Sequence, residues 1–188
     1  MPLGRGALAD VTLLFADVRG FSHLVRTEPP ERVVARLNRY FSTVTDVLLQ
    51  YDACIDKLLG DGVMAVFGAP IQRADHPRAA VQAACEIADL LRTQSTDGQP
   101  LQVGIGLHRG TALVGNLGAP GVQDFTVIGE AVVLAERVQH FAAPGQVVCT
   151  EPVYRAVEQD FPAARERKSR IEGWPGHFRI YTLRDAPA

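Results

Sequence analysis

Short apolar runs alternate along the chain with longer segments in which apolar residues recur every three or four positions. The runs are rich in strand-forming residues and bounded by Gly, Asp or Pro, which predicts buried strands. These runs are 11–16, 53–59, 63–67, 101–107, 111–115, 125–128, 147–149 and 178–183. The periodic segments predict helices over 29–48, 77–91, 130–141 and near 152–157.

This alternation predicts an α/β fold, more specifically an α+β sandwich in which helices cover a mixed sheet. The segment 116–124 is rich in Gly and Pro and is predicted to be a loop. There is no internal repeat or linker, so we expect one domain over 11–183, with an N-terminal extension 1–10 and a C-terminal tail 184–188. In the helix that opens at Pro29, the apolar stripe consists of Val33, Val34, Leu37, Phe41, Val44 and Leu48.

Composition narrows the class of protein. The 188 residues are 47% hydrophobic with a formal net charge of −2, which suits one globular domain. No apolar stretch reaches the ~18–20 residues of a membrane span, and no signal peptide is recognisable, so we expect a cytoplasmic protein without a membrane segment. Near-neutral charge argues against a nucleic-acid partner, and the short basic cluster 165–170 is better explained as a solvated strand edge.

The three cysteines lack metal-binding spacing and are predicted to be small buried residues in a reducing compartment.

Two aspartates each follow an apolar run and lie close to glycine. Asp17 comes directly after the run 11–16, and Asp61 stands between two glycines that separate two predicted strands. Either aspartate alone is explained as a turn residue, since Asp-Gly is a common hairpin signal. If both carboxylates converge on one point, they form an all-oxygen site suited to Mg²⁺ or Mn²⁺ and to displacement at phosphorus.

Five short motifs follow one another in a fixed order. They are Phe-Ala-Asp-Val-Arg-Gly-Phe-Ser at 15–22, Asp-Lys-Leu-Leu-Gly-Asp at 56–61, Val-Phe-Gly-Ala-Pro at 66–70, the glycine-rich stretch 104–116, and Phe-Thr-Val-Ile-Gly at 125–129. With these motifs the chain resembles the catalytic domain of class III nucleotidyl cyclases, especially the bacterial adenylyl cyclases, from about residue 11 to 183. The resemblance implies a ferredoxin-like mixed sheet covered by helices.

The resemblance also implies a two-metal reaction. Asp17 and Asp61, helped by the backbone carbonyl of Val18, would hold two Mg²⁺ or Mn²⁺ ions that activate the ribose 3′-hydroxyl for attack on the α-phosphate of a nucleoside triphosphate. Pyrophosphate would leave and a 3′,5′-cyclic nucleotide would form. Backbone N–H groups at Gly20, Phe21 and Ser22 would bind the other phosphates, although an ordinary strand-to-helix turn also explains this segment.

Two further positions bear on the base. Lys57 matches the family's adenine-contacting lysine, and Thr126 matches the position of its partner. A lysine ammonium only donates, so it suits adenine N1, which accepts, and opposes guanine N1–H; the threonine hydroxyl accepts from the adenine 6-amino group. Lys57 can still donate to guanine O6, and a solvated lysine before a turn is the other explanation. ATP is therefore the expected substrate, with cyclic AMP as the product.

Arg137 matches the family's arginine that stabilises charge at the α-phosphate; a helix-surface salt bridge to Glu136 or Glu130 is the competing explanation. Two positions depart from the family. Val133 replaces the asparagine that orients the ribose, and Glu172 replaces a lysine that binds the triphosphate. Losing one transition-state hydrogen bond costs about 1–3 kcal/mol, roughly 10- to 100-fold in rate, so we expect a slow enzyme. The alternative is a non-catalytic cyclase-homology domain that binds a nucleotide or a partner as a regulatory module.

The family architecture places each active site between two subunits, and this chain has one copy of each motif. We therefore expect a head-to-tail homodimer. Asp17 and Asp61 would come from one subunit, and Lys57, Thr126 and Arg137 from the other.

Overall fold

A computed structural model describes residues 6–93, 101–119 and 122–185. Its elements are β1 (Ala7–Val18), α1 (Phe21–Thr27), α2 (Pro30–Gln50), β2 (Cys54–Leu59), β3 (Gly62–Phe67), α3 (His76–Thr93), β4 (Val103–Ala119), β5 (Val122–Ile128), α4 (Glu130–Gln139), β6 (Val147–Thr150), α5 (Glu151–Tyr154), β7 (Arg165–Ser169) and β8 (Phe178–Arg184). Within this part of the chain, no helix is long and apolar enough to cross a membrane.

The described strands form one sheet in the order β2-β3-β1-β4-β6-β8-β7, and β5 pairs with β4 beside this path. All neighbouring strands are antiparallel except β4 and β6, which run parallel. The predicted α+β fold with a mixed sheet under helices is therefore confirmed. The basic segment 165–170 lies largely on β7, the last strand of the path, as expected of a solvated strand edge.

Alternate residues of β1 face two different layers. Leu14 and Ala16 pack into a core formed with α2 and α3, whereas Leu13 and Phe15 pack into a second core formed with α4 and β5. This alternation follows from the period-two geometry of a strand, and it places Asp17 on the same face as Phe15. The metal-binding candidate is thereby aimed at α4.

The inward stripe of α2 is rotated relative to the prediction. Tyr40 and Val47 are buried with Val33, Val44 and Leu48. Val34, which we predicted to face inward, is 55% exposed, and Leu37 and Phe41 are only partly buried. By contrast, the spacing of apolar residues over 77–91 predicts five inward positions in α3, and all five are buried: Val81, Ala84, Ile87, Ala88 and Leu91.

The prediction was wrong for the centre of the chain. Segments 101–107 and 111–115 are not two paired strands but parts of the single strand β4, and most of the predicted loop 116–124 belongs to β4 and β5. Strands β4 and β5 pair along this stretch, from Leu113 with Ile128 to Ala119 with Val122. This pairing satisfies the backbone N–H and C=O groups, so the stretch forms a sheet despite its Gly and Pro content. Strand β1 is likewise longer than predicted, since it begins at Ala7.

The glycines of β4 make room for α4. A Cβ atom on Gly106 would overlap with the backbone of Gln139, and one on Gly110 would lie 3.0 Å from the Cβ of Ala131. Glycine at these positions therefore lets the helix lie directly on the strand. Gly110 therefore lies within the continuous strand β4, where it pairs with Val11, and not in a turn.

The cysteine prediction holds in part. All three cysteines are free thiols, but only Cys149 is buried, while Cys54 and Cys85 are partly exposed.

Candidate active site

Asp17 and Asp61 meet at the end of β1. The turn between β2 and β3 carries Asp61 at its tip, as predicted, and Gly62 directly after it pairs with Asp17 across the sheet. The N–H of Val18 donates to the backbone carbonyl of Asp61 over 3.3 Å. A Cβ atom on Gly62 would lie 3.4 Å from Oδ1 of Asp17, so this carboxylate oxygen faces the Asp61 turn.

The electrostatics of Asp17 suit a cation site. Burial raises the pKa of the Asp17 carboxyl, the negative charge of Asp61 raises it further, and Arg19 opposes both effects. Two carboxylates that repel each other in a partly buried position gain from a divalent cation between them. The available donors, two carboxylates and neighbouring backbone carbonyls, are the hard oxygen ligands that Mg²⁺ and Mn²⁺ prefer. The residues therefore fit the expected ions, although the described residues contain no cluster of three or more His, Cys, Asp or Glu side chains arranged around a metal.

A small cavity of about 180 Å³ opens beside Asp17. Its walls come from the β2–β3 turn and from the last turn of α4, including Gly62, Glu136, Gln139 and His140. The metal-binding candidate thus borders an open space rather than packed core.

Arg19 was not among the predicted site residues, yet its guanidinium joins Asp17 to α4. Its Nη1 donates to Oδ2 of Asp17 over 3.2 Å, and its Nη2 donates to the backbone carbonyl of Gln139 over 2.7 Å. Its place in the motif 15–22, two residues after Asp17, does not reveal that α4 ends beside it.

The predicted phosphate-binding turn is a left-handed glycine followed by a helix. Gly20 has φ 74°, a conformation that favours glycine, and α1 begins at Phe21 without a side-chain cap. Among the described residues, the N–H groups of Phe21 and Ser22 have no backbone acceptor. These donors lie at the start of a helix, where partial positive charge accumulates.

Lys57 and Thr126 are brought together from positions 69 residues apart. The Lys57 ammonium donates to the Thr126 hydroxyl over 3.3 Å. Thr126 is 9% exposed, whereas 45% of the Lys57 side chain remains accessible. The two residues that the resemblance assigns to the base therefore form a pair within one chain, and the Lys57 side chain is partly exposed.

The first residue of the motif 56–61, Asp56, makes a contact with Lys57 that the sequence does not predict. Its carboxylate lies 2.6 Å from the Lys57 ammonium, and its side chain is only 1% exposed. Adjacent residues on a regular strand point to opposite faces, so this contact was not expected. An irregularity in the β2–β3 register between Ile55 and Lys57 brings the two side chains together.

Arg137 and the two departures from the family share one surface. Val133 is 44% exposed and lies one helical turn before Arg137 on α4. Nη1 of Arg137 lies 4.0 Å from Oε2 of Glu172, so its ion-pair partner is neither of the two glutamates considered from the sequence. Glu130 instead accepts a hydrogen bond from the Trp174 indole over 2.5 Å.

The predicted residues thus form three groups within one chain. Asp17 and Asp61 lie with the Gly20 turn, Lys57 lies with Thr126, and Arg137 lies with Val133 and Glu172. No hydrogen bond or ion pair between described residues joins Asp17 to Lys57, Thr126 or Arg137.

Known proteins match both the sequence and this structure. The family model for the adenylate and guanylate cyclase catalytic domain matches residues 5–185. An uncharacterised protein of Mycobacterium tuberculosis, Rv1320c, is 35% identical over 153 residues, which are 80% of this chain and 26% of that protein. The chain therefore spans about a quarter of the length of the curated relatives it matches.

Two solved structures are similar over nearly the whole chain. The guanylyl cyclase Cya2 superimposes with a TM-score of 0.90 at 30% identity, covering 95% of this chain and 93% of its own. The adenylyl cyclase CyaB from P. aeruginosa superimposes with a TM-score of 0.85 at 27% identity, covering 97% of both chains. Since the family model spans almost every residue and the folds coincide, the chain belongs to the adenylate and guanylate cyclase catalytic domains, the class III nucleotidyl cyclases.

Proposed function

We propose that this domain converts ATP to 3′,5′-cyclic AMP and pyrophosphate. The similar solved structures include a guanylyl and an adenylyl cyclase, so the choice of base has to come from the residues of this chain. The observation that carries the choice is the contact between Lys57 and Thr126.

The pair presents a donor and an acceptor side by side. The ammonium of Lys57 donates to adenine N1, and the Thr126 hydroxyl, which has two lone pairs, accepts from the 6-amino group. Guanine would place its own N1–H against the ammonium. Asp56 supports this arrangement because its buried carboxylate holds the Lys57 ammonium close to Thr126.

The metal end of the site is assigned to Asp17, Asp61 and the backbone carbonyl of Val18. Two Mg²⁺ or Mn²⁺ ions held there would supply Lewis-acid activation of the 3′-hydroxyl and neutralise charge on the triphosphate. The raised pKa of Asp17 supports this assignment, because the carboxylate pair gains from bound positive charge.

The remaining residues bind and orient the nucleotide. The free N–H groups of Phe21 and Ser22 after Gly20 donate to phosphate oxygens, and the fork of Arg137 donates to the α-phosphate as negative charge develops there. Val133 offers no hydrogen bond to the ribose, and Glu172 places negative charge beside Arg137, so turnover is slow.

A homodimer with sites between the subunits completes the proposal. Elements β2, β5 and α4, which carry Lys57, Thr126 and Arg137, also expose large apolar side chains; these are Leu58, Leu59, Ile128 and Val133, each at least 44% exposed. Exposed apolar surface of this kind is typical of protein interfaces. The same surface would bring the adenine-binding pair of one subunit to the metal-binding pair of the other.

The test is a product assay. Purified protein is incubated with ATP and Mn²⁺, and cyclic AMP and pyrophosphate are separated by chromatography. The matched control is Asp61→Asn, which keeps the shape of the turn but removes its charge. Formation of cyclic AMP by the unmodified protein and its loss in the variant and in EDTA are expected. No cyclic product from any nucleotide would favour the non-catalytic module, which the close approach of the Asp17 and Asp61 carboxylates otherwise argues against.

A further inference from the structure

The position of the Arg19 side chain costs the folded protein free energy. Its side chain is only 20% exposed, and within the part of the chain that the structure describes its Nε–H is buried without a hydrogen-bond partner. Burying a guanidinium with an unpaired donor costs free energy, so fold stability alone is a poor reason for its presence. Strained or costly arrangements of this kind are expected where a residue serves a site.

The sheet is shaped to admit this guanidinium. A Cβ atom on Gly104 would overlap with the guanidinium atoms of Arg19, so only glycine leaves the side chain in its present place. Gly104 is also the β4 partner of Asp17, and its carbonyl accepts from the Gln139 side chain over 3.2 Å. The guanidinium of Arg19 therefore lies between strand β4 and the C-terminal end of helix α4.

The two carboxylate oxygens of Asp17 have different neighbours. Oδ2 is taken by Nη1 of Arg19, while Oδ1 faces Gly62 beside the Asp61 turn. The other end of the guanidinium is fixed on the Gln139 carbonyl, so the fork sets the rotation of the carboxylate. A planar, bidentate donor can do this, and a lysine ammonium, which is a point charge, cannot hold both partners in the same geometry.

We propose that Arg19 is a positioning residue that turns Oδ1 of Asp17 toward the Asp61 turn and so prepares the carboxylate pair for a divalent cation. The inference rests on the proposed function, since it concerns the same carboxylate pair. Arg19 would stay on Oδ2 when an ion is bound, which would leave Oδ1 available to hold the ion.

A purely electrostatic role makes the opposite prediction. If Arg19 only neutralised the two carboxylates, it would compete with the incoming cation. It would then have to leave Asp17 on metal binding, and any variant that keeps its charge would behave like the unmodified protein.

Two variants separate these roles while keeping a positive charge at the position. Arg19→Lys removes the fork, and Gly104→Ala keeps the arginine but displaces its guanidinium. The matched control is Arg109→Lys, because Arg109 also joins β1 to β4 by donating to Asp10, with Nη2 2.6 Å from Oδ2, and takes no part in the site. Circular dichroism and thermal unfolding establish that each variant is folded.

Mn²⁺ titrations followed by electron paramagnetic resonance, without nucleotide, give the first readout. We expect Arg19→Lys and Gly104→Ala to weaken Mn²⁺ binding about tenfold or more, with Arg109→Lys unchanged. In turnover assays both variants should need more Mn²⁺ and show a lower kcat with little change in KM for ATP. Unchanged or tighter Mn²⁺ binding in both variants would overturn the proposal.

Crystal structures of the unmodified protein, with and without Mn²⁺, give a second readout that does not depend on how the variants fold. The proposal requires the Arg19–Asp17 contact in both structures, with Mn²⁺ on Oδ1, and is overturned if Arg19 swings away. If the unmodified protein binds no Mn²⁺, the two-metal function fails. A metal-free structure of Arg19→Lys then still decides whether Asp17 loses its orientation.

Discussion

Arg137 and Glu172 face each other, with Nη1 of the arginine 4.0 Å from Oε2 of the glutamate. The sequence singled them out for opposite reasons, Arg137 as a match to the family and Glu172 as a departure from it. Glu172 is 90% exposed, so the pair contributes little to stability. If Arg137 binds the triphosphate as proposed, the Glu172 carboxylate would repel the incoming phosphates beside the guanidinium.

Glu172→Lys should therefore lower KM for ATP with a much smaller change in kcat. The triphosphate is charged in both the ground state and the transition state, so restored attraction is uniform binding. Steady-state kinetics at two ionic strengths measure this, and the gain in KM should shrink as salt screens it. Glu158→Lys, the same charge change at another exposed residue, is the control. An equal gain in the control would mean that net charge, not this contact, is responsible.

Val133→Asn should raise kcat by roughly 10-fold, the equivalent of one net hydrogen bond of ~1.4 kcal/mol. The asparagine would orient the ribose, and that contact strengthens as the 3′-oxygen attacks. Val133 is 44% exposed on α4, so the polar side chain should be tolerated. Val133→Thr, which keeps the branched shape, is a suitable comparison. An asparagine variant that folds normally but has unchanged kcat would show that the pocket orients its substrate in another way.

His108 should make stability depend on pH. Burial lowers the pKa of His108 to about 4, and its Nδ1 lies 2.8 Å from the Thr150 hydroxyl. An unfolded histidine titrates near ~6.5, so the folded state disfavours the proton. The stability that depends on neutral His108 is therefore fully present above about pH 6.5 and is lost as the pH falls toward 4. At pH ~4.5 the free energy of unfolding should be lower by about 2–3 kcal/mol for this reason.

Urea unfolding of the unmodified protein and of His108→Gln at pH ~7 and ~4.5 measures this difference. Carboxylates contribute equally to both proteins, so subtraction isolates the histidine. The variant should lose less stability on acidification. Identical losses in the two proteins would contradict the assignment to His108.

The residues of the site were predictable where a motif fixes them, but their surroundings were not. The motifs pointed to Lys57 and Thr126, and the structure places them in contact. Asp56 was missed because a strand irregularity, invisible in the hydrophobic pattern, turns it toward Lys57. Arg19 was missed because its partners on α4 lie more than a hundred residues away.

The fold shows the same limit. The continuous apolar run 11–16 predicted a buried strand, and β1 is indeed buried on both faces there, since that pattern is local. The break between the predicted strands 101–107 and 111–115 implies a turn near Gly110, whereas the glycines of β4 let α4 pack closely on a continuous strand. Glycine is found both in turns and where a helix packs closely on a strand, and only the tertiary contact shows which role it has.

Shared active sites can be tested by mixing two inactive variants, Asp17→Ala and Arg137→Ala. If each site uses Asp17 of one subunit and Arg137 of the other, a mixed dimer collects both lesions in one site and leaves its second site intact. Activity should then return to part of the unmodified level once subunit exchange is complete. Exchange demonstrated by differently tagged subunits without any recovery would argue for sites built within one chain.

In the proposed function, the Lys57–Thr126 pair selects ATP over GTP. The most direct measurement is one reaction that contains equal concentrations of ATP and GTP with Mn²⁺, with both cyclic products quantified from the same tube. The product ratio reports the ratio of kcat/KM values for the two nucleotides. We predict that cyclic AMP predominates for the unmodified protein, and that Lys57→Glu shifts the ratio toward cyclic GMP because a carboxylate accepts from guanine N1–H. Predominance of cyclic GMP in the unmodified protein would show that the Lys57–Thr126 pair does not select ATP.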